Sequence, residues 1–457
     1  MGEPSAEWCL EAVRGLTCKN AVALFDRAAS IGLLTSLGDR YFEIHPALPW
    51  YFRSLFERFF PAELSDRARR AFIEAMNENG NRLGNLYDKG NRSVISNLAA
   101  EEDNLLAAWR LARERAWWGC VTGAMQGLRA LYEENGHSSS WRRLVEIVLP
   151  DFIDPATDGP LQGREDQWSL VTEYRVRLLF IDQNWPEAER LQTVLASRNE
   201  ERARLGLETP TGARSESQGF AIRSFAIALH ELALIQQKRD NPGCADTFQK
   251  SFDLDTLIGY SFGQATSAFN LGNAYILVSG LRDLDKAEHW HLKALDLWSP
   301  GDGLARGKSL SSLGRINFER FQDAQKTPPR SGVGAPFLIE AAKSYEQALK
   351  LFPVTAIQAR GIAHDQLGKI YASAGCIDQA LEHFRTEIRY CDAAGDVSSA
   401  GIVRSDAALS LAAKGRFDDA RAFAEAALAN FQSIGAGPDI QRTEGLIAAI
   451  NSASARK

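Results

Sequence analysis

Phosphate transfer, hydrolysis and metal chemistry each need particular side chains at fixed spacings, so we begin with those residues. Asp302-Gly303-Leu304-Ala305-Arg306-Gly307-Lys308-Ser309 is one residue away from a phosphate-binding P-loop. That loop requires glycine where Asp302 stands, a strand before it and a helix after it. The sequence ahead of Asp302 is helical, and its carboxylate would face the phosphate. The stretch therefore reads as a turn between helices. His230-Glu231-Leu232-Ala233-Leu234 begins like a zinc-protease motif but ends in leucine, so two zinc ligands cannot stack one helical turn apart. His289 and His291, two apart on a helix, point in different directions. Paired carboxylates such as Glu101-Glu102 fall on polar helix faces and read as solvated. Seven histidines in 457 residues leave little material for a hidden nucleophile–base pair. The six cysteines are scattered without a C-x-x-C pair, as buried cysteines in a reducing compartment would be. The chain reads as a non-enzyme with no metal site.

Composition narrows the class further. A net charge of −6 argues against a nucleic-acid or acidic-membrane binder. The start, MGEPSAEWCL, lacks the basic and apolar regions of a signal peptide, and Ala6 breaks the myristoylation pattern that Gly2 would open. No apolar run reaches the roughly 18 residues of a membrane span. The expected location is the cytoplasm.

The elements that must position any site are helices in tandem. In Ala268–Leu297, Leu271, Gly272 and Tyr275 share a face of one helix, and Ala287 and Ala294 share a face of the next. Small residues at Gly272 and Ala287 let two antiparallel helices approach closely. Such a pair cannot bury its apolar face alone and needs copies on either side. The pattern resembles a tetratricopeptide repeat (TPR). Related signatures lie at Ala233/Ala245, at Gly314 with Ala341, Tyr345 and Ala348, at Gly368 with Ala380 and Phe384, and at Ala408 with Ala420 and Ala427. Leu83, Gly84 and Tyr87 repeat the motif earlier, with Ala100 and Ala107 expected on the second helix. Gln322–Pro336 is an insertion between two helices of one pair, Gly206–Gly219 a polar loop, and Ile440–Ile450 a capping helix. The expected fold is all-α: a right-handed TPR-like solenoid of about eight helix pairs.

In TPR proteins the first helices line the concave face. The resemblance therefore places Phe269, Asn273, Lys308, Arg315, Asp365 and Lys369 in a groove for a protein or peptide ligand. A clamp for acidic C-terminal peptides would match at Asn270 and Lys308 but not at His230 and Leu234, so that ligand is not expected.

Residues 1–61 differ from the rest. Asn20–Leu34 has an apolar helix pattern, Gly38-Asp39 a turn, Arg40–His45 a short strand, and Pro46 can open a further helix that runs to Phe60. The run IGLLTSLGDRYFEIHPALPWYFRSLF resembles the winged-helix segment of STAND-class signalling ATPases with an NB-ARC core. In that family a histidine after the wing strand contacts the β-phosphate of ADP. His45, in Ile44-His45-Pro46 where the family has Met-His-Asp, takes that place. The resemblance implies a partial winged helix (1–61), helical leading repeats (62–150) and a TPR solenoid with a C-terminal capping helix (151–457). Asn20–Leu34 offers only Asn20 and Arg27 to a DNA groove, so DNA binding is not expected. It further implies a sensor arm acting on an ATPase domain in cis, in defence or transcription control. No cofactor is expected in this chain, and ADP or ATP only in a full-length protein. The rival is a self-sufficient TPR adaptor that scaffolds protein partners.

Overall fold

The structure, a computed structural model, describes residues 17–38, 41–44, 48–59, 61–88, 90–326 and 334–456. It divides into two compact units, Met1–Ala188 and Glu189–Lys457.

The first unit opens with helix α1 (Cys18–Ser30), whose first turn is capped by the Thr17 hydroxyl. Two short antiparallel strands follow, β1 (Leu34–Gly38) and β2 (Tyr41–Ile44). The expected helix end at Leu34 is thus corrected: Gly32 takes a positive φ of 77°, the helix stops, and Leu34 starts a strand. Phe25 of α1 packs on Phe42 of β2 at 5.6 Å, which gives this small sheet an apolar anchor. Helix α2 (Pro49–Phe59) begins at Pro49, three residues later than expected. Proline tolerates that position because a helix's first N–H groups have no intrahelical partner. His45 and Pro46 lie outside the described residues.

Five helices follow: α3 (Ala62–Asp88), α4 (Val94–Ala100), α5 (Glu102–Glu114), α6 (Trp118–Glu134) and α7 (Ser138–Phe152). The expected partner for Leu83, Gly84 and Tyr87 was the stretch carrying Ala100 and Ala107. Instead α3 lies chiefly against α6, with α4 and α5 beside it. The reason is a reciprocal glycine pair. A Cβ at Gly80 would stand 2.5 Å from the Gly123 carbonyl oxygen, and one at Gly127 would stand 3.0 Å from the Gly80 Cα. Only glycines four apart on both helices permit that approach. Arg129 of α6 is buried beside this contact and pairs with Asp88 at 2.7 Å and Glu133 at 2.9 Å. The loop after α7 is tied by an Ile153–Pro160 bridge and by the Trp168 indole N–H donating to the Asp158 carbonyl at 3.1 Å. Helix α8 (Glu165–Ile181) completes this unit, and α9 (Trp185–Glu208) starts in it and runs on into the second.

The second unit is a series of helix pairs: α10 (Glu216–Lys238) with α11 (Cys244–Leu257), α12 (Ser261–Leu277) with α13 (Leu284–Leu297), and α14 (Gly303–Lys326) with α15 (Ala335–Leu351). Next come α16 (Ile357–Ser373) with α17 (Ile377–Ala394), α18 (Val397–Ala413) with α19 (Phe417–Ser433), and a last helix α20 (Gly437–Ser454). The polar loop expected over 206–219 is shorter, because α9 runs to Glu208 and α10 starts behind a Ser215–Gln218 capping box.

Each first helix carries two buried small residues seven apart: Ala226/Ala233, Ala265/Gly272, Gly307/Gly314, Gly361/Gly368 and Gly401/Ala408. The second helices answer with buried residues at intervals of four, three and four. They run Cys244/Phe248/Ser251/Asp255, Ala287/His291/Ala294/Trp298, Ala341/Tyr345/Ala348/Phe352, Ala380/Phe384/Glu387/Cys391 and Ala420/Ala424/Ala427/Phe431. The ring in the second place fits against the second small residue. A Cβ at Gly272 would meet His291 at 2.8 Å, one at Gly314 would meet Tyr345 at 2.7 Å, and one at Gly368 would meet Phe384 at 2.5 Å. In these three pairs a ring against a glycine, more than alanine against glycine, sets the spacing. The fold is an all-α, TPR-like helical solenoid.

Candidate ligand face of the first helices

In the second unit each first helix touches the first helix of the next pair. The residues just after the small positions therefore form two rows on one continuous face. One row is Ile227, Thr266, Lys308, Ile362 and Ile402; the other is Leu234, Asn273, Arg315, Lys369 and Leu409. Ile227, Ile362, Ile402 and Leu409 are each about half exposed. The face is thus apolar on α10 and α18, polar on α12 and α14, and mixed on α16, where Ile362 stands in one row and Lys369 in the other. All six expected groove residues lie on these three helices.

The structure brings some of them together. Lys369 donates to Asp365 at 2.8 Å on its own helix and pairs with Asp406 of α18 at 2.9 Å. Burial works against the Lys369 charge, yet Asp365 and Asp406 outweigh it and hold its pKa above the usual lysine value. Burial pushes Asp365 up despite Lys369, and its Oδ1 has no hydrogen-bond partner. Lys369 and Asp406 line an open hollow of about 460 Å³ with Phe318, Gln322, Leu409 and Lys414. Arg315 is half exposed and bonds Glu319 at 2.9 Å, and Glu319 also pairs with Arg282. Lys308 is exposed, Asn273 is half-buried, and Phe269 packs edge-on against His291 at 5.2 Å. Sequence reading missed Asp406. Its place, five after the first small residue of its helix, would have shown it opposite Lys369.

The positions that imitate catalytic motifs are accounted for by structure. The Asp302 side chain caps α14, accepting from the Ala305 N–H at 2.9 Å, so a carboxylate occupies the helix end a phosphate would need. His230 is held by the Ser267 hydroxyl and by the Asn270 amide, both at 3.1 Å. Burial drives its pKa down to about 4. Asn270, a clamp position in the sequence, is thereby engaged between α10 and α12. Burial, with Arg315 adding to it, takes His291 down to about 3. Among the described residues no group of three or more His, Cys, Asp or Glu could hold a metal ion. Cys244 and Cys391 are buried free thiols as expected, but Cys120 is only half-buried and Cys376 is exposed. Helix α10 is long and apolar enough to cross a membrane by composition. Here it is a repeat helix, with Ile222, Phe225, Leu229 and Leu232 in a core shared with Ala196 and Leu254.

No protein-family model matches the chain, and no curated protein matches it. Solved structures do. A STAND (signal transduction ATPase with numerous domains) protein with a tetratricopeptide repeat sensor from Pyrococcus horikoshii superposes with a TM-score of 0.59 at 12% identity. The match covers 97% of this chain and 56% of that one, so the chain spans about half of that protein's length. The apo quorum sensor NprR from B. thuringiensis superposes with a TM-score of 0.50 at 10% identity, over 81% of this chain and 95% of that one. At these identities the likeness is one of fold: a TPR-like helical solenoid of the kind seen in signalling regulators.

Proposed function

We propose that this chain is the sensor and regulatory arm of a STAND NTPase. A protein or peptide trigger binds on the face formed by α12, α14 and α16, through Phe269, Asn273, Lys308, Arg315, Asp365 and Lys369. The winged-helix segment holds an ATPase domain in cis inactive until then, with His45 on the ADP of the full-length protein. The chain itself performs no catalysis and binds no nucleotide, metal, nucleic acid or membrane. The observation that carries this reading is coverage. The match covers 97% of this chain and 56% of a STAND protein, which leaves 44% of that protein outside the match for an ATPase. Two details support it: a two-stranded hairpin stands between helices ahead of the repeats, and the face offers polar side chains between apolar ends.

The test uses the protein that carries the ATPase. His45→Ala should give effector output without trigger, because a charge-assisted bond to phosphate is worth about 1.5–3 kcal/mol to the off state. Silence, with ADP affinity unaltered, refutes the regulatory role of His45. The adaptor reading replaces the sensor reading if the coding sequence ahead of Met1 holds no ATPase in frame.

A further inference from the structure

The repeat pattern exposes one position that breaks rank. Eight residues after the first small residue of each second helix stands a bulky apolar side chain: Phe252 in α11, Leu295 in α13, Leu349 in α15, Ile388 in α17 and Leu428 in α19. In α9 the same count from Ala188 gives Ala196. The step where this side chain is small is the step where the molecule has a hollow of about 560 Å³. Its floor is Phe225, Leu229 and Leu232 of α10, with Leu254 and Leu257 of α11 as one wall and Ala196 of α9 in the other. Glu200, Lys250 and Asp253 stand at its rim. Phe225 and Leu229 are larger than Gln264 and Ala268, their counterparts one repeat on, yet the hollow remains.

One repeat along, the equivalent space is filled from within. Phe252 packs with Ala265, Ala268 and Trp298, edge-on to Trp290 at 5.4 Å. The Lys293 ammonium lies over the Phe252 ring, 4.6 Å from its centre. Lys293 and Lys250 hold the same place in their helices, six after Ala287 and Cys244. The hollow thus has the lysine and a largely apolar lining, with Phe225 in its floor, but no phenyl group at the place that Phe252 takes one repeat along. Its size is that of a small-ligand pocket, and an ammonium over a ring face is attracted by the ring quadrupole.

We infer that this groove between α9 and α11 is a binding site for an aromatic side chain presented by a partner polypeptide. The ring seats where Phe252 seats one repeat along, under Lys250. Ser197 in the lining offers a hydroxyl to the flanking peptide groups, and Thr193, whose hydroxyl donates to the Glu189 carbonyl at 2.7 Å, can accept from them. The site is separate from the ligand face of the first helices, and its fate does not depend on the proposed ATPase.

The test is solution NMR on the full chain with three probes: N-acetyl-phenylalaninamide, N-acetyl-leucinamide and toluene. The blocked phenylalanine should bind, shifting the Leu229, Leu254 and Lys250 signals. It should bind more tightly than the blocked leucine or toluene. Ala196→Phe, or Ala196→Leu to the size found in α13 and α15, should abolish binding and raise the melting temperature, since it supplies the missing group. Lys250→Ala should weaken the aromatic probe about two- to fivefold without altering the fold. No binding, or binding indifferent to both Ala196 variants, overturns the site. Equal binding of leucinamide overturns the ring specificity, and equal binding of toluene replaces the polypeptide partner with a free aromatic molecule.

Discussion

Asp255 occupies the fourth core place of α11, where three other second helices put Trp298, Phe352 and Phe431. It is 4% exposed, and its Oδ1 has no hydrogen-bond partner. Its carboxyl crowds Gly263, where a Cβ would stand 2.2 Å from Oδ2. Burial pushes its pKa from 3.8 up to about 6, and Arg223, which bonds the Tyr260 hydroxyl at 2.8 Å, only partly offsets this. A carboxyl whose folded pKa is raised binds its proton more tightly in the folded state. Stability is therefore full below the unfolded pKa near 3.8. It declines as pH rises through about 6 and is flat above that. A shift of roughly two units corresponds to about 3 kcal/mol lost between pH 4 and pH 7. Asp255→Asn keeps the shape and removes the titration, so it should recover most of that loss at pH 7.5 and little at pH 4. The assay is thermal unfolding of both proteins at half-unit pH steps, with hydrogen exchange in α11 and α12 as the local readout. A wild-type profile that rises from pH 4 to 7.5, or an Asn variant that melts lower at pH 7.5, would refute the assignment of a buried, unpaired carboxyl.

Three further perturbations test the packing and the ligand face. Gly272→Leu should lower the melting temperature, because its Cβ alone would stand 2.8 Å from the His291 ring; overpacking of this kind costs about 1–3 kcal/mol, and an unchanged melt would disprove the repeat register. Gly80→Ala should loosen α3 from α6, since the obstacle is the Gly123 backbone carbonyl and not a side chain that can rotate away; faster exchange confined to 62–134 is the expected readout. Lys369→Met should leave Asp365 and Asp406 facing each other without a cation, lowering stability at pH 7 by about 1–3 kcal/mol, with recovery at acid pH where the carboxyls protonate; equal loss at both pH values would assign the effect to packing.

Much of the second unit was legible because its information is periodic. Gly272, Gly314 and Gly368 mark the points where a second-helix ring lies against a first-helix backbone, and one-dimensional spacing carries that contact. The first unit resisted for the opposite reason. Leu83, Gly84 and Tyr87 look like a repeat motif, but their partner helix begins some thirty residues beyond Tyr87, at Trp118. Two shorter helices come between. The signal that could have found it was present twice over, as glycines four apart at Gly80/Gly84 and at Gly123/Gly127, and it needed pairing across the gap. The hairpin was half read for a local reason: Leu34 looks like the last apolar residue of α1, and only the left-handed backbone at Gly32 turns it into a strand.

Periodicity placed Lys308, Arg315 and Lys369 on first helices, but it could not say which cations are already neutralised. Lys369 is held by two carboxylates and Arg315 by Glu319. Lys308, exposed on the same face, makes no ion pair among the described residues. An acidic ligand group therefore gains most at Lys308, where no internal pair must be broken first. The expected consequence is an ordering. With the proposed trigger bound to the face, Lys308→Ala should cost more affinity than Arg315→Ala, because Glu319 already offsets much of the Arg315 charge that a ligand would meet. Removing Lys308 should also weaken the salt dependence of binding. Equal losses from both substitutions would place the ligand's charge elsewhere on the face.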